Sequence, residues 1–88
     1  MNYSIKLHNK VSKFLKKCPL HVRARFVEKV EIMKINPFDT RCDIVKLENT
    51  DNDFRLRIWD YRFFFTIIHQ DITIYFYKWW GRGNIYKH

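Results

Sequence analysis

Residues 54–68 set the tightest constraint on the fold. In 54–58 the apolar residues Phe54, Leu56 and Ile58 alternate with Arg55 and Arg57, the period-2 pattern of a half-buried strand. Residues 61–68 follow as an aromatic and β-branched run, a second strand. Closing the two across Trp59 and Asp60 sets Ile58 opposite Tyr61, and hence Arg57 opposite Arg62 and Arg55 opposite Phe64. The three guanidiniums then stand on one face of the sheet, two of them directly opposed. Like charges facing each other across strands are destabilising, so something anionic is expected to complete this surface.

A third strand, predicted over 72–79, pairs with the second across a turn at Gln70-Asp71. In that register Ile68 opposes Thr73, Thr66 opposes Tyr75, Phe64 opposes Tyr77 and Arg62 opposes Trp79. One face carries Phe54, Leu56, Ile58, Tyr61, Phe63, Phe65, Ile67, Ile72, Ile74 and Phe76, so it must meet the rest of the core. The other carries Arg55, Arg57, Arg62, Phe64, Thr66, Thr73, Tyr75, Tyr77 and Trp79. A bulge would reverse these parities beyond it. Guanidiniums mixed with aromatic rings suit phosphate clamping and base stacking on single-stranded RNA, so Arg55, Arg57, Phe64, Tyr75, Tyr77 and Trp79 are the candidate RNA-binding residues. The alternative is an ordinary solvated sheet face.

Upstream the period changes. Residues 3–7 alternate as a short opening strand. Leu7, Val11, Leu15 and Cys18 then recur at helical spacing with Phe14 beside them, while Lys10, Lys13, Lys16 and Lys17 face away. This predicts a helix over about 8–18, stopped by Pro19. Val22, Phe26, Val30 and Met33 repeat the spacing to about Lys34, and Asn36-Pro37 ends the second helix. The junction at Pro19 is so short that the two form an antiparallel hairpin. Residues 43–48 read as a further strand, and 49–53 as a turn rich in Asn and Asp. The order is strand, two helices, four strands: an α+β fold with an N-terminal strand and a helical hairpin packed on a mainly antiparallel four-stranded meander. At 88 residues the chain is a single domain, 1–88.

Net charge is +8, in two basic blocks (+7 over 1–36, +4 over 54–88) around an acidic one (−3 over 37–53). This balance favours polyanionic partners without choosing among RNA, DNA and an acidic protein. Apolar runs fall well short of the ~20 residues of a membrane span. The N-terminus carries Lys6, His8, Lys10 and Lys13 and no signal-peptide pattern. Cys18 and Cys42 lack metal-ligand spacing and read as reduced thiols of a cytoplasmic protein. His8, His21 and His69 are scattered, without metal spacing, and read as surface residues.

Asn36-Pro37, Lys46-Leu47, the core from Phe54 through Trp59-Asp60-Tyr61-Arg62, and the ending Arg82–Tyr86 together resemble the RelE/ParE superfamily of toxins from bacterial toxin–antitoxin modules. The resemblance spans nearly the whole chain and is most specific in the strand core. It implies the same fold and a toxin silenced by an acidic antitoxin. In the RelE-like branch it implies metal-independent and cofactor-independent cleavage of mRNA on the ribosome by attack of a ribose 2′-hydroxyl on the adjacent phosphate. By position it makes Arg62, Arg82, Tyr86, Arg57 and Arg55 the candidate catalytic residues, with Tyr86 stacking on RNA or moving a proton. Trp59 stands where the family usually has glycine, Trp80-Gly81 where glycine-histidine is common, and Arg55 and Arg57 where RelE-like enzymes often carry lysine. Arginine is a poor base because its pKa lies above ~12, so proton abstraction falls to Tyr86, His88 or the ribosome. The alternatives are a ParE-like poison of DNA gyrase that acts by binding, and a catalytically degenerate relative that binds antitoxin or nucleic acid.

Overall fold

The sheet predicted from residues 54–79 is the middle of a larger one. The computed structural model describes residues 2–81, as β1 (Ser4–Leu7), α1 (Asn9–Lys17), α2 (Leu20–Ile35), β2 (Asp43–Lys46), β3 (Asp53–Ile58), β4 (Tyr61–Ile68) and β5 (Thr73–Gly81). A one-turn 3₁₀ segment, His69–Asp71, links β4 to β5. The strand order is β1-β5-β4-β3-β2. Strands β2 to β5 form the expected antiparallel meander, and β1 closes its far edge parallel to β5, pairing Ser4 with Thr73 and Leu7 with Phe76. A parallel neighbour needs a long crossover, which the two helices and the meander provide.

Each helix begins and ends as its residues dictate. The His8 imidazole accepts a hydrogen bond from the Lys10 backbone N–H at 3.0 Å and caps α1. Pro19 sits at the N-cap of α2, and Asn36, before Pro37, at its C-cap. Val11 and Leu15 of α1 and Val22, Phe26, Val30 and Met33 of α2 are buried against one sheet face. They meet Phe54, Leu56, Ile58, Phe63, Phe65, Ile67, Ile74 and Phe76, the apolar parity predicted above. The hairpin at Trp59-Asp60 has the expected register, with Ile58 opposite Tyr61, Arg57 opposite Arg62 and Arg55 opposite Phe64.

The β4–β5 pairing begins as predicted and then departs from it. Ile68 opposes Thr73 and Thr66 opposes Tyr75, but Phe65 opposes Phe76 while Phe64 opposes Lys78. Tyr77 is therefore the extra residue of a β-bulge, and every later side chain of β5 changes face. In the unbroken register Lys78 would share the inward parity of Ile74 and Phe76. Placing an ammonium beneath the helices without a partner is far costlier than one bulge. The bulge turns Lys78 and Trp80 outward and Trp79 inward.

Both cysteines are free, Cys42 buried and Cys18 half-buried. Burial raises both thiols above their ordinary value of 9.0, and the Cys42 thiol points at the Lys29 carbonyl, 3.8 Å away. Because the thiolate is the nucleophile, iodoacetamide at pH 8 is expected to label Cys42 only as fast as the chain opens. Mass spectrometry in native buffer and in urea checks this, and rapid native labelling of Cys42 would contradict it.

Candidate functional site: an arginine and aromatic sheet face

The face turned away from the helices is built from alternate residues of all five strands. Strand β3 contributes Arg55 and Arg57, and β4 contributes Arg62, Phe64 and Thr66. Strand β5 contributes Tyr75 and Tyr77, whose rings lie 6.4 Å apart. The structure thus brings five of the six candidate RNA-binding residues together with Arg62. Trp79 is the correction. The bulge sends its ring inward, where it stacks on Phe14 with centroids 3.9 Å apart and packs against the core.

In its place stand residues that alternation alone did not find. Lys78 lies over the Phe64 ring at 4.7 Å, and the Arg62 guanidinium lies over Trp80 at 5.6 Å. At the β1 edge Lys6 lies over Tyr75 at 5.5 Å. Three cations of the face, Lys6, Arg62 and Lys78, are thus each steered by a neighbouring ring. One signal in the sequence pointed here: the lysine at 78 could not tolerate the inward parity.

The charges on this face are unevenly matched. Asp43 of β2 lies opposite Arg57 and takes its Nε at 3.1 Å, both side chains being about half exposed. Arg55 and Arg62 have no carboxylate partner among the described residues. Burial pushes the Tyr77 phenol above its ordinary value of 10.0, and the Asp53 carboxylate adds to the rise. Tyr77 is thus a protonated hydrogen-bond donor near neutral pH. Its environment is wrong for a base. Among the described residues no three His, Cys, Asp or Glu side chains are grouped to hold a metal ion. Arg82, Tyr86 and His88 lie outside the described residues. Among the described histidines, His8 caps α1, exposed His69 meets Asn52 at 3.2 Å and exposed His21 edges onto Trp59 at 4.9 Å.

The fold that carries this face is shared with known proteins. RelE1, a toxin-family protein of Methanocaldococcus jannaschii, is 31% identical over 88 residues, covering 99% of this chain and 98% of its own. The chain belongs to the RelE toxin family. RelE in the RelE–RelB complex of Pyrococcus horikoshii superposes with a TM-score of 0.82 at 32% identity, covering 94% of this chain and 98% of that one. RelE in the RelB–RelE complex of Methanococcus jannaschii gives 0.73 at 26%, over 94% and 96%. The isolated E. coli RelE toxin gives 0.76 at 15% identity, over 90% and 83%, a likeness of fold. No protein-family model matches the chain. The bacterial setting expected from the sequence motifs is not carried by the relatives near one-third identity, which come from archaea.

One family departure is explained locally. Trp59 opens the β3–β4 hairpin at φ 53°, a left-handed conformation that favours glycine and costs other residues roughly 1–2 kcal/mol. Its ring recovers part of that by lying 4.8 Å from the Arg25 guanidinium and against His21, contacts worth about 0.5–1 kcal/mol each at exposed sites. The two effects nearly offset. This RelE protein therefore keeps the two-residue hairpin, and with it the opposition of Arg57 and Arg62, without glycine.

Proposed function

We propose that this protein is the toxin of a RelBE-type pair and cuts mRNA on the ribosome. The observation that carries the reading is the outward convergence of Arg55, Arg57 and Arg62, with only Arg57 compensated by a carboxylate among the described residues. A phosphodiester carries the charge this face lacks. Arg62, steered by Trp80 from below, and Arg55 offer planar forks for non-bridging oxygens. As the 2′-hydroxyl oxygen bonds to phosphorus, negative charge builds on those oxygens. Fixed guanidiniums stabilise that charge more than they stabilise the ground state. Phe64, Tyr75 and Trp80 supply ring faces for the flanking bases.

The proton economy follows from the same residues. Arginine does not accept a proton, and Tyr77 is held protonated, so both act as donors. Removal of the 2′-hydroxyl proton falls to Tyr86, to His88 or to a ribosomal group, and the departing 5′-oxygen takes up a proton. The partner is a RelB-type antitoxin, supported by the RelE–RelB complexes of the archaeal relatives. Its acidic segments would cover the basic surface, burying or displacing residues 82–88.

Intramolecular attack dictates the ends of the fragments. Induction of the chain in bacteria is expected to produce mRNA cuts that require translation, leaving 2′,3′-cyclic phosphate upstream and 5′-hydroxyl downstream. The downstream pieces should enter an RNA-ligation library only after phosphorylation. Intact mRNA with DNA breaks and altered plasmid supercoiling would replace this reading with gyrase poisoning.

A further inference from the structure

The basic surface does not stop at the sheet face. Between α2 and the β2 edge lies a concavity of ≈ 290 Å³, lined by Arg25, Lys29, Arg41, Asp43, Arg57 and Trp59. We propose that it is a nucleotide subsite, taking one phosphate and its base from single-stranded RNA that leaves the arginine face over β2. The assignment rests on the RNA reading above and extends it to residues that reading does not use.

Each cation is oriented yet keeps donors to spare. Asp39 holds the Arg41 Nε at 2.9 Å and a terminal nitrogen at 3.0 Å. The Arg41 guanidinium keeps the Asp39 carboxyl near a pKa of about 2, so that clamp persists throughout the neutral range. Lys29 donates one hydrogen bond to the Arg41 carbonyl at 2.8 Å, tying the turn to α2 and leaving two ammonium hydrogens for a ligand. Arg25 meets Glu28 through Nε at 3.2 Å. Arg57 meets Asp43 through Nε at 3.1 Å, both side chains about half exposed. Exposed pairs of this kind contribute little, so a phosphate oxygen can displace Asp43.

Two observations favour RNA over an acidic peptide. Trp59 stands at the lip 48% exposed, its indole beside the Arg25 guanidinium, a pairing with which proteins stack bases without reading sequence. Arg57 belongs to both surfaces, since it opposes Arg62 across β3–β4 and lines this pocket. A backbone gripped at the face is therefore led into the pocket by one shared side chain.

The test uses the full chain, freed of antitoxin, and 2′-O-methyl RNA oligonucleotides, which lack the attacking hydroxyl. Anisotropy titrations are run across a salt series at low ionic strength. Arg25→Gln and Arg41→Gln are each expected to weaken binding about fivefold and to lower the salt slope by about 0.7, the release expected per lost phosphate contact on a single strand. Trp59→Leu should weaken binding with the slope unchanged, because stacking releases no counterion. Unaltered affinity and slope in Arg25→Gln and Arg41→Gln proteins with native circular dichroism would overturn the subsite. So would a loss confined to binding of an acidic peptide. Because the probe cannot be cut, a failure of mRNA cleavage leaves this result standing, and a failure of the subsite leaves cleavage standing.

Discussion

Arg62→Ala is expected to abolish growth arrest and to lower translation-dependent mRNA cleavage by about 10²–10³, the usual cost of removing one preorganised donor from a site of developing negative charge. Its effect on folding should be slight. The substitution removes the cation–π contact with Trp80, about 0.5–1 kcal/mol at an exposed site. It also removes the like-charge opposition to Arg57, which is destabilising by a comparable few tenths or more. The two losses have opposite signs, so urea melts should agree with the unsubstituted protein to within about 1 kcal/mol. Arg62→Lys should recover part of the activity, since it keeps the charge but loses the fork. A folded Arg62→Ala protein that still arrests growth would remove the arginine face from the mechanism.

Much of that face was legible in the sequence because two independent patterns agreed. Alternation in 54–58 and the short Trp59-Asp60 loop together leave one register, and the structure has it. The helices were legible for the same reason: Val11 and Leu15, then Val22, Phe26, Val30 and Met33, fall on single stripes that must be buried. Outward apolar residues of α2, Leu20 and Val27, did not obscure the pattern, because the inward stripe is longer and bulkier. The parallel pairing of β1 with β5 was not legible. Residues 3–7 announce a strand, but nothing local in them names a partner so distant in the chain. The bulge at Tyr77 was hidden for a different reason. Alternation reads one residue at a time, whereas a bulge is chosen by the total cost of the strand. Here the cost of a buried Lys78 outweighs the loss of one unpaired residue in the ladder.

Trp79→Ala and Trp80→Ala are expected to separate stability from activity, and so to test that bulge directly. Trp79 stacks on Phe14 at 3.9 Å and packs against the core. Truncating it should cost about 3 kcal/mol, near the low end for a large aromatic because the ring is only partly buried. In a domain whose whole stability is roughly 5–15 kcal/mol, that is a visible shift of the urea midpoint. Trp80 is 44% exposed, and its alanine variant should melt within about 1 kcal/mol of the parent. Its loss should appear instead in mRNA cleavage, reduced about two- to fivefold as Arg62 loses a contact worth about 0.5–1 kcal/mol. In the unbroken register the assignments would exchange, with Trp80 the structural ring and Trp79 the one beside Arg62. Denaturant melts of the two variants, compared with their cleavage rates, therefore decide which tryptophan lies on the arginine face. A large stability loss in Trp80→Ala with a near-native Trp79→Ala would move the bulge, and with it the partner that steers Arg62.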